Sequence, residues 1–403
     1  MHSVLTLGRW VLRSCPMVVV LLPSWLGFAG ADGQHCLGAE GRRRLMSDTS
    51  LVRQAAAVGG RGPPRPWLVA DVGGTNARFG WLAQGAAQVS HVATLPVAHF
   101  SGPVPAAQAY LANVALQLGS AYQPPRAAAF AVATAVGADE VALTNGGWRF
   151  SRHTTQQQLA LDALVVLNDF EALALALPRL QPAQWRLIGA AVPVDPIDRS
   201  GLPARRQVAL ADAARAVIGP GTGLGVAGIV PTLHGWVTVP GEGGHASLSA
   251  GDDFESALLA AVRQEHAHVS AERLLSGIGL PVLQRAVAAV LGRPADALTA
   301  EEIVERGLAR QDAVCDRTID AFCALLGSFA GNVALVLGAR GGVYIGGGIV
   351  PRLGERFFDS RFRERFEAKG RLQGYLRAIP TALITDTLVA LTGAEWALEQ
   401  SGR

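Results

Sequence analysis

Three apolar, strand-like runs of this chain end in glycine clusters, and this feature restricts the folds open to it. The clusters are Gly73-Gly74 in "LVADVGGTNARFG", the alternating glycines of "GPGTGLG" (219–225) and the triplet Gly346–Gly348 before "IVP". Glycines close tight turns, and they also let backbone N–H groups converge on an anion. One such turn is most often a plain hairpin. Three in one chain predict a phosphate and nucleoside site assembled from separate segments.

The runs between these clusters alternate between strand and helix patterns. Strands are predicted for "WLVADV", "ARFGWLA", residues 127–136 and residues 162–169, the last uniformly apolar as a doubly covered strand should be. The segment "FEALALAL" after Asp169 predicts a helix that Pro178 ends, and 252–264 and 318–338 also carry helical spacing. The class is therefore α/β, after a Gly/Pro linker at 59–66.

A dinucleotide fingerprint is spelled by Gly223, Gly225 and Gly228, with Glu242 near the distance of a ribose-binding acid. That fingerprint must open a helix. The residues that follow, "VAGIVPTLHGWVTVPG", are β-branched and hairpin-like, so we reject a dinucleotide-binding fold.

Asn168 and Asp169 follow the strand predicted at 162–169. Asn168-Asp169 either caps the next helix or places a general base at the carboxyl end of a strand, where α/β proteins locate their sites. Asp71, which ends the first strand, could hold Mg²⁺ through water, and Thr75 adds a hydroxyl.

Further polar candidates lie on glycine-rich segments. Glu242 and His245 in "PGEGGH" are kept off a helix by their neighbours, which argues against a helical metal pair and for hydrogen bonding to hydroxyls. Glu272 either complements a helix N-terminus or hydrogen-bonds to the same hydroxyls. Asn145 in "LTNGGW" either marks a turn or hydrogen-bonds to these hydroxyls as well. Together these side chains suit a polyhydroxylated ligand.

Composition excludes other classes. Lys369 is the only lysine, so a Walker A loop is impossible and a phosphate site must use backbone, metal or arginine. The net charge of +3 comes from the leader, where five arginines face two acids within 1–45, so nothing indicates a nucleic-acid surface. Cys315 and Cys323 are too far apart on one helix for a disulfide, which favours a reducing compartment.

The leader allows two interpretations. Residues 16–30 follow Arg9 and Arg13 and imitate a secretory signal, but the apolar run is short and broken for a membrane span. Alternatively Met46 is the true start. We expect a leader at 1–65 that is disordered or wrongly assigned, and a cytoplasmic protein without membrane attachment.

Seven ordered motifs resemble the bacterial glucokinase family over nearly the whole chain from Trp67. They are "ADVGGTNARFG", "LTNGGWRFS", "VLNDFEALALALP", "GPGTGLGVA", "VPGEGGHASL", "HVSAERLLSGIGL" and "GGVYIGGGIVPR". The resemblance implies a two-domain actin-like ATPase (ribonuclease H-like) fold with an interdomain active-site cleft. The small domain would comprise 66–179 plus 382–403, and the large domain 180–381. A homodimer is also implied.

The resemblance implies a glucokinase that transfers the γ-phosphoryl of ATP to the 6-hydroxyl of glucose, the first step of glycolysis. Asp169 would be the catalytic base. Glucose would be held by Asn168, Glu242, His245 and Glu272, with Asn145 weaker. Nucleotide phosphates would contact Asp71, Gly73, Gly74, Thr75, Gly221, Thr222 and Gly223, the adenosine would approach Gly346, Gly347 and Gly348, and Asp71 would hold Mg²⁺ through water.

Three departures from the family are visible: the leader, a long loop at 189–207, and "ATAVGAD" in place of a cysteine-proline turn. Another hexose or amino sugar is an open alternative, because hydroxyl-binding residues do not fix stereochemistry. A sugar-sensing regulator on the same fold is disfavoured, since the leader offers no helix-turn-helix and Asp169 is present.

Overall fold

The computed structural model of the protein describes residues 63–144, 147–189 and 213–401, which belong to one compact unit, 60–403. Almost the whole leader, Asn145 and residues 190–207 of the long loop lie outside the described residues. The strands are β1 Trp67–Val72, β2 Asn76–Leu82, β3 Ser90–Pro96, β4 Ala127–Val132, β5 Glu140–Ala142, β6 Arg149–Ser151, β7 Ala163–Asn168, β8 Trp185–Leu187, β9 Arg215–Pro220, β10 Leu224–Thr232, β11 Gly235–Gly241, β12 Val343–Ile345 and β13 Thr381–Ile384.

The helices follow the apolar periodicity of the sequence. They are α1 Pro103–Leu118, α2 Arg152–Gln158, α3 Asp169–Ala176, α4 Asp253–Val262, α5 Leu280–Val290, α6 Ala300–Leu308, α7 Ala313–Leu337, α8 Ile349–Leu353, α9 Glu355–Phe358, α10 Phe362–Glu367, α11 Gln373–Arg377 and α12 Val389–Gln400. The alternation of helices and strands confirms the α/β class.

The first sheet has the strand order β3-β2-β1-β4-β7, in which β1, β4 and β7 run parallel. Val72 pairs with Val132, and Val132 with Asn168, so the carboxyl ends of these strands share one edge. Every residue of β4 is buried. The apolar composition of this strand reflects cover on both faces of the sheet.

The second sheet has the order β11-β10-β9-β12-β13-β8. The chain after the third glycine of "GPGTGLG" forms the antiparallel hairpin of β10 and β11, which confirms that no dinucleotide-binding helix opens there. Residues 382–384, which the sequence assigns to the small domain, lie in β13 of this second sheet. The domain division itself stays a prediction.

Helix α3 packs between the two sheets. Its Ala172 and Leu175 share a buried cluster with Val217 and Ala227 of the second sheet and with Trp396 of α12. The C-terminal helix α12 also packs on the first sheet, where Leu391, Ala394 and Leu398 contact Val69 and Ala129. The start of α3 is therefore positioned by elements from both ends of the chain.

Helix α7 is the one helix of the described residues that is long and apolar enough to cross a membrane. In the folded protein, 78% of its apolar window is buried. It forms the centre of the core on the second sheet, together with α4, α5 and α10. Its apolar length is therefore explained by burial inside the protein. Cys315 and Cys323 are both buried and free in this helix, as the sequence predicts.

Candidate active site

Two carboxylates lie at the shared carboxyl edge of the first sheet. Asp71 is the fifth residue of β1, and Asp169 directly follows β7. Burial raises the pKa of Asp71, and Arg78, whose Nη1 lies 3.6 Å from Oδ2 of Asp71, opposes that rise. Arg78 also donates to the carbonyl oxygen of Thr387 at 2.6 Å, in the segment that precedes α12.

The pKa of Asp169 is raised to about 7, first by burial and then by the negative charge of Asp71. Hydrogen bonds that the carboxylate accepts from nearby backbone N–H groups, including that of Phe170 at 3.0 Å, oppose this shift. A general base works best when its pKa lies near the working pH. The environment of Asp169 therefore supplies a carboxylate suited to take a proton at neutral pH.

Asn168 caps helix α3, as one of the two sequence interpretations predicts. Its Oδ1 accepts from the N–H groups of Phe170 (2.9 Å) and Glu171 (3.4 Å). Its Nδ2 donates to the carbonyl oxygen of Thr134 at 3.1 Å. The Asn168 side chain also forms a hydrogen bond with the carboxylate of Asp169, which acts to lower the pKa of that acid. Capping of α3 and orientation of Asp169 are therefore combined in this side chain.

Glu272 lies in a turn, so it does not complement a helix N-terminus. Its Oε2 accepts from the N–H of Leu224 at 2.8 Å, and its Oε1 lies 3.9 Å from Nε2 of His245. Its own N–H donates to the carbonyl oxygen of Gly244 at 2.8 Å. These contacts join the turn at 272, the loop 242–245 and the first residue of β10.

Glu242 and His245 are exposed on the loop after β11. The loop lies against β10, where Glu242 bridges to Val226. His245 and Glu272 border a pocket of about 360 Å³, which is further lined by Glu265, His266, Ala267, His268, Ser270, Arg273 and Ile278. Both residues thus face a space large enough for a small ligand. Asn145 cannot be placed, because it lies outside the described residues.

The predicted glycine turns lie at the ends of strands. Gly73, Gly74 and Thr75 form the turn between β1 and β2, with the Gly73 N–H bonded to the carbonyl oxygen of Asn76 at 2.9 Å. Gly221, Thr222 and Gly223 form the turn between β9 and β10. A Cβ atom on Gly223 would overlap the carboxylate of Glu272. The absence of a side chain at Gly223 therefore leaves room for the present position of that acid.

Gly346–Gly348 meets the turn between β9 and β10. The N–H of Gly346 donates to the carbonyl oxygen of Ile218 at 2.8 Å, and a Cβ on Gly347 would overlap Pro220. Gly347 also has a φ of +77°, a conformation that favours glycine. Two of the three glycine segments are thus in direct contact.

The described side chains suit Mg²⁺ at a site that substrate phosphates and water complete. Within 63–144, 147–189 and 213–401, no group of three or more His, Cys, Asp or Glu side chains is arranged to hold a metal ion. Mg²⁺ commonly binds through one or two carboxylates together with substrate phosphates and water. Asp71, whose negative charge is close enough to raise the pKa of Asp169, matches that requirement.

Sequence reasoning missed Arg78 and the pocket residues His266 and His268. Arg78 pairs directly with Asp71 in the β1–β2 register, so the predicted hairpin contained a signal for it. The histidines have no such signal, because their position depends on how the turn 265–273 folds over the loop 242–245. The structure brings Glu272 and His245 together beside Gly223, and it brings Asp71 close enough to Asp169 to raise the pKa of that acid.

Two mixed sheets covered by helices, with acids and glycine turns at strand ends, are the arrangement of the actin-like ATPase class. The sequence model of the glucokinase family matches residues 68–401. The glucokinase of Paramagnetospirillum magneticum is 44% identical over 327 residues, which are 81% of this chain and 95% of that protein. The glucokinase of Aromatoleum aromaticum is 45% identical over 336 residues, which are 83% and 95% of the two chains.

Solved structures agree with this assignment. The crystal structure of a glucokinase from an Antarctic psychrotroph has a TM-score of 0.72 and 39% sequence identity, and the match covers 83% of this chain and 98% of that one. The chain belongs to the glucokinase family. This confirms the resemblance seen in the seven motifs and the predicted fold class.

Proposed function

We propose that the protein transfers the γ-phosphoryl group of ATP to the 6-hydroxyl of glucose, giving glucose 6-phosphate and ADP. The observation that carries the proposal is Asp169, a partly buried carboxyl at a strand end whose pKa is raised to about 7. Asp169 directly follows Asn168, which caps α3, and the negative charge of Asp71 contributes to its raised pKa. Membership of the glucokinase family supports both substrates.

In the proposed mechanism, Asp169 accepts the proton of the sugar hydroxyl. The hydroxyl oxygen forms a bond to the γ-phosphorus while the bond from that phosphorus to the β,γ-bridging oxygen breaks, and the electron pair leaves with ADP. Such transfers depend on positioning and charge neutralisation more than on covalent chemistry. The other hydroxyls would be held by Asn168, Glu242, His245 and Glu272.

The phosphates would be held by backbone N–H groups of the turns 73–75 and 221–223, and the adenosine would lie near 346–348. Mg²⁺, held through water by Asp71, would neutralise phosphate charge when bound. Exclusion of water by closure of the site would suppress hydrolysis of ATP, because water competes with the sugar as acceptor.

The test is an ATP-dependent assay that offers glucose, mannose, fructose and N-acetylmannosamine separately and in competition. We expect glucose to have the highest kcat/KM, with ADP and a sugar phosphate formed in equal amounts. A preference for another sugar would assign a different hexose kinase activity. Absence of phosphorylation of every sugar would overturn the proposal.

Replacement of Glu272 by glutamine should raise the KM for glucose by about 10- to 100-fold with a smaller change in kcat. A hydrogen bond to a charged group contributes about 1.5–3 kcal/mol, and the amide oxygen can still accept from Leu224, which keeps the turn intact. Initial-rate kinetics and calorimetric titration with glucose measure the effect. Glu301→Gln, an exposed acid paired with Arg352 at 3.2 Å, is the control. An unchanged KM in Glu272→Gln would exclude the residue from sugar binding.

Assembly and location are further proposals that rest on the family. We expect a homodimer, which size-exclusion chromatography with light scattering would detect. We also expect the enzyme to work in the cytoplasm, where ATP is available, with no attachment to a membrane.

A further inference from the structure

The ring of Phe170 packs against two glycines of the segment 219–225. Gly219 in β9 and Gly225 in β10 are direct cross-strand partners. A Cβ atom on either glycine would overlap the ring of Phe170. An aromatic ring over a glycine pair fills the space that the missing side chains leave on the sheet. Two of the four alternating glycines are therefore required for this contact, whereas Gly221 has open space around its Cα.

Phe170 is also bound to the residues at the start of α3. Its N–H donates to Oδ1 of Asp169 at 3.0 Å and to Oδ1 of Asn168 at 2.9 Å. One residue farther, Oε1 of Glu171 accepts from the hydroxyl of Thr238 in β11 at 2.8 Å. The two residues after Asp169 therefore both contact the second sheet, although Asp169 directly follows β7 of the first sheet.

The opposite side of α3 is fixed by the C-terminal helix. A Cβ on Gly393 of α12 would overlap the carbonyl oxygen of Ala172. Because α12 also packs on β1 and β4, this contact holds α3 to the first sheet. The ring of Phe170 then connects this helix to Gly219 and Gly225, which lie at the strand ends on either side of the turn 221–223.

We propose that Phe170 is a positioning residue that sets the distance between the carboxylate of Asp169 and the turn 221–223. This inference rests on the proposed function, since it assigns Asp169 to the acceptor and the turn to the phosphates. Transfer between two bound substrates is sensitive to their separation, and a misplacement of about 1 Å can cost about 10²-fold in rate. Loss of the ring contact therefore changes kcat more than the affinity for either substrate.

The experiment compares Phe170→Leu, Gly225→Ala and the double variant. Each single variant is expected to lower kcat by about 10- to 100-fold while the KM for glucose and for ATP stays within about threefold. The losses are expected to be non-additive, since the smaller leucine leaves room for the added methyl group. The double variant should therefore lose no more in kcat than the worse single variant. Rates are normalised to folded enzyme, and Gly219→Ala replaces a variant that fails to fold.

Phe322→Leu and Gly374→Ala are the matched controls. Phe322 is buried in α7, and Gly374 in α11 has open space around it. We expect both controls to keep the wild-type kcat. Normal kcat in Phe170→Leu with a lower Tm, or additive losses in the double variant, would reduce the contact to a structural role and overturn the inference. If the wild-type protein itself phosphorylates no sugar, the proposed function fails instead.

Discussion

The Asp169→Asn variant is expected to lose about 10²- to 10⁴-fold in kcat, the usual contribution of a general base. Asparagine has the same shape and still forms hydrogen bonds, but it cannot accept the proton of the sugar hydroxyl. Affinity for glucose should therefore change little. Steady-state kinetics with ATP and glucose, together with calorimetric titration of glucose, measure the two quantities separately.

Asp162→Asn is the control for this variant. Asp162 precedes the other end of β7, where it is exposed and paired with Arg126. We expect it to keep the wild-type rate. A near-normal kcat in Asp169→Asn would show that another group takes the proton, and loss of glucose binding would show that Asp169 mainly holds the sugar.

Thermal stability gives an independent readout of Asp169. Its pKa is raised from 3.8 to about 7 in the folded protein, so the ionised form is less favourable there than in the unfolded chain. The resulting loss of folding free energy is absent below about pH 4, grows as the pH rises toward 7 and is complete above it. Asp169→Asn should therefore have a higher Tm than the wild type at pH 8, and the difference should shrink as the pH falls.

The second large effect is the pH dependence of catalysis. With a pKa of about 7 for Asp169, kcat/KM should rise with pH and level off above about pH 8. Since pH 5 is two units below this pKa, only about 1% of the carboxyl is ionised there, and kcat/KM should fall about 100-fold from the plateau. Initial rates between pH 5 and pH 9 in buffers of constant ionic strength measure this rising part of the pH profile, the acidic limb.

Asp71→Asn tests the origin of the limb. The charge of Asp71 raises the pKa of Asp169 after burial, so its removal should move the limb to lower pH, even if the plateau also drops. Titration of the free nucleotide in solution does not depend on residue 71. A limb that stays at the same pH in Asp71→Asn would belong to the nucleotide or to another side chain, and would contradict the assignment to Asp169.

Much of the scaffold could be predicted from the sequence because local signals agreed there. The apolar run at 67–72 and the first six residues of the run predicted at 127–136 are strands because both faces of the sheet are covered, and their composition shows it. The helix after Asp169 follows from its apolar spacing and from Pro178. The hairpin of β10 and β11 follows from β-branched residues, which excluded a dinucleotide fold.

Other properties of the site had no local signal. The sequence left Asn168 open between a cap and a ligand, and the structure shows that its Oδ1 caps α3 while its Nδ2 donates to the carbonyl oxygen of Thr134. Likewise, the glycines of 219–225 suggested phosphate binding, but Gly219 and Gly225 accommodate the ring of Phe170. A glycine pattern alone does not distinguish backbone exposed to a ligand from backbone covered by a side chain.

The sequence by itself determined the α/β class, the strand ends that carry acids and glycines, and the family, because these depend on residue type and on spacing within short segments. The tertiary structure decided that Asp169 has a pKa near 7, that Glu272 reaches Leu224 and His245, and that α3 is held by both sheets. These properties come from contacts between residues far apart in the chain. Burial and electrostatic interactions arise only when those segments pack together.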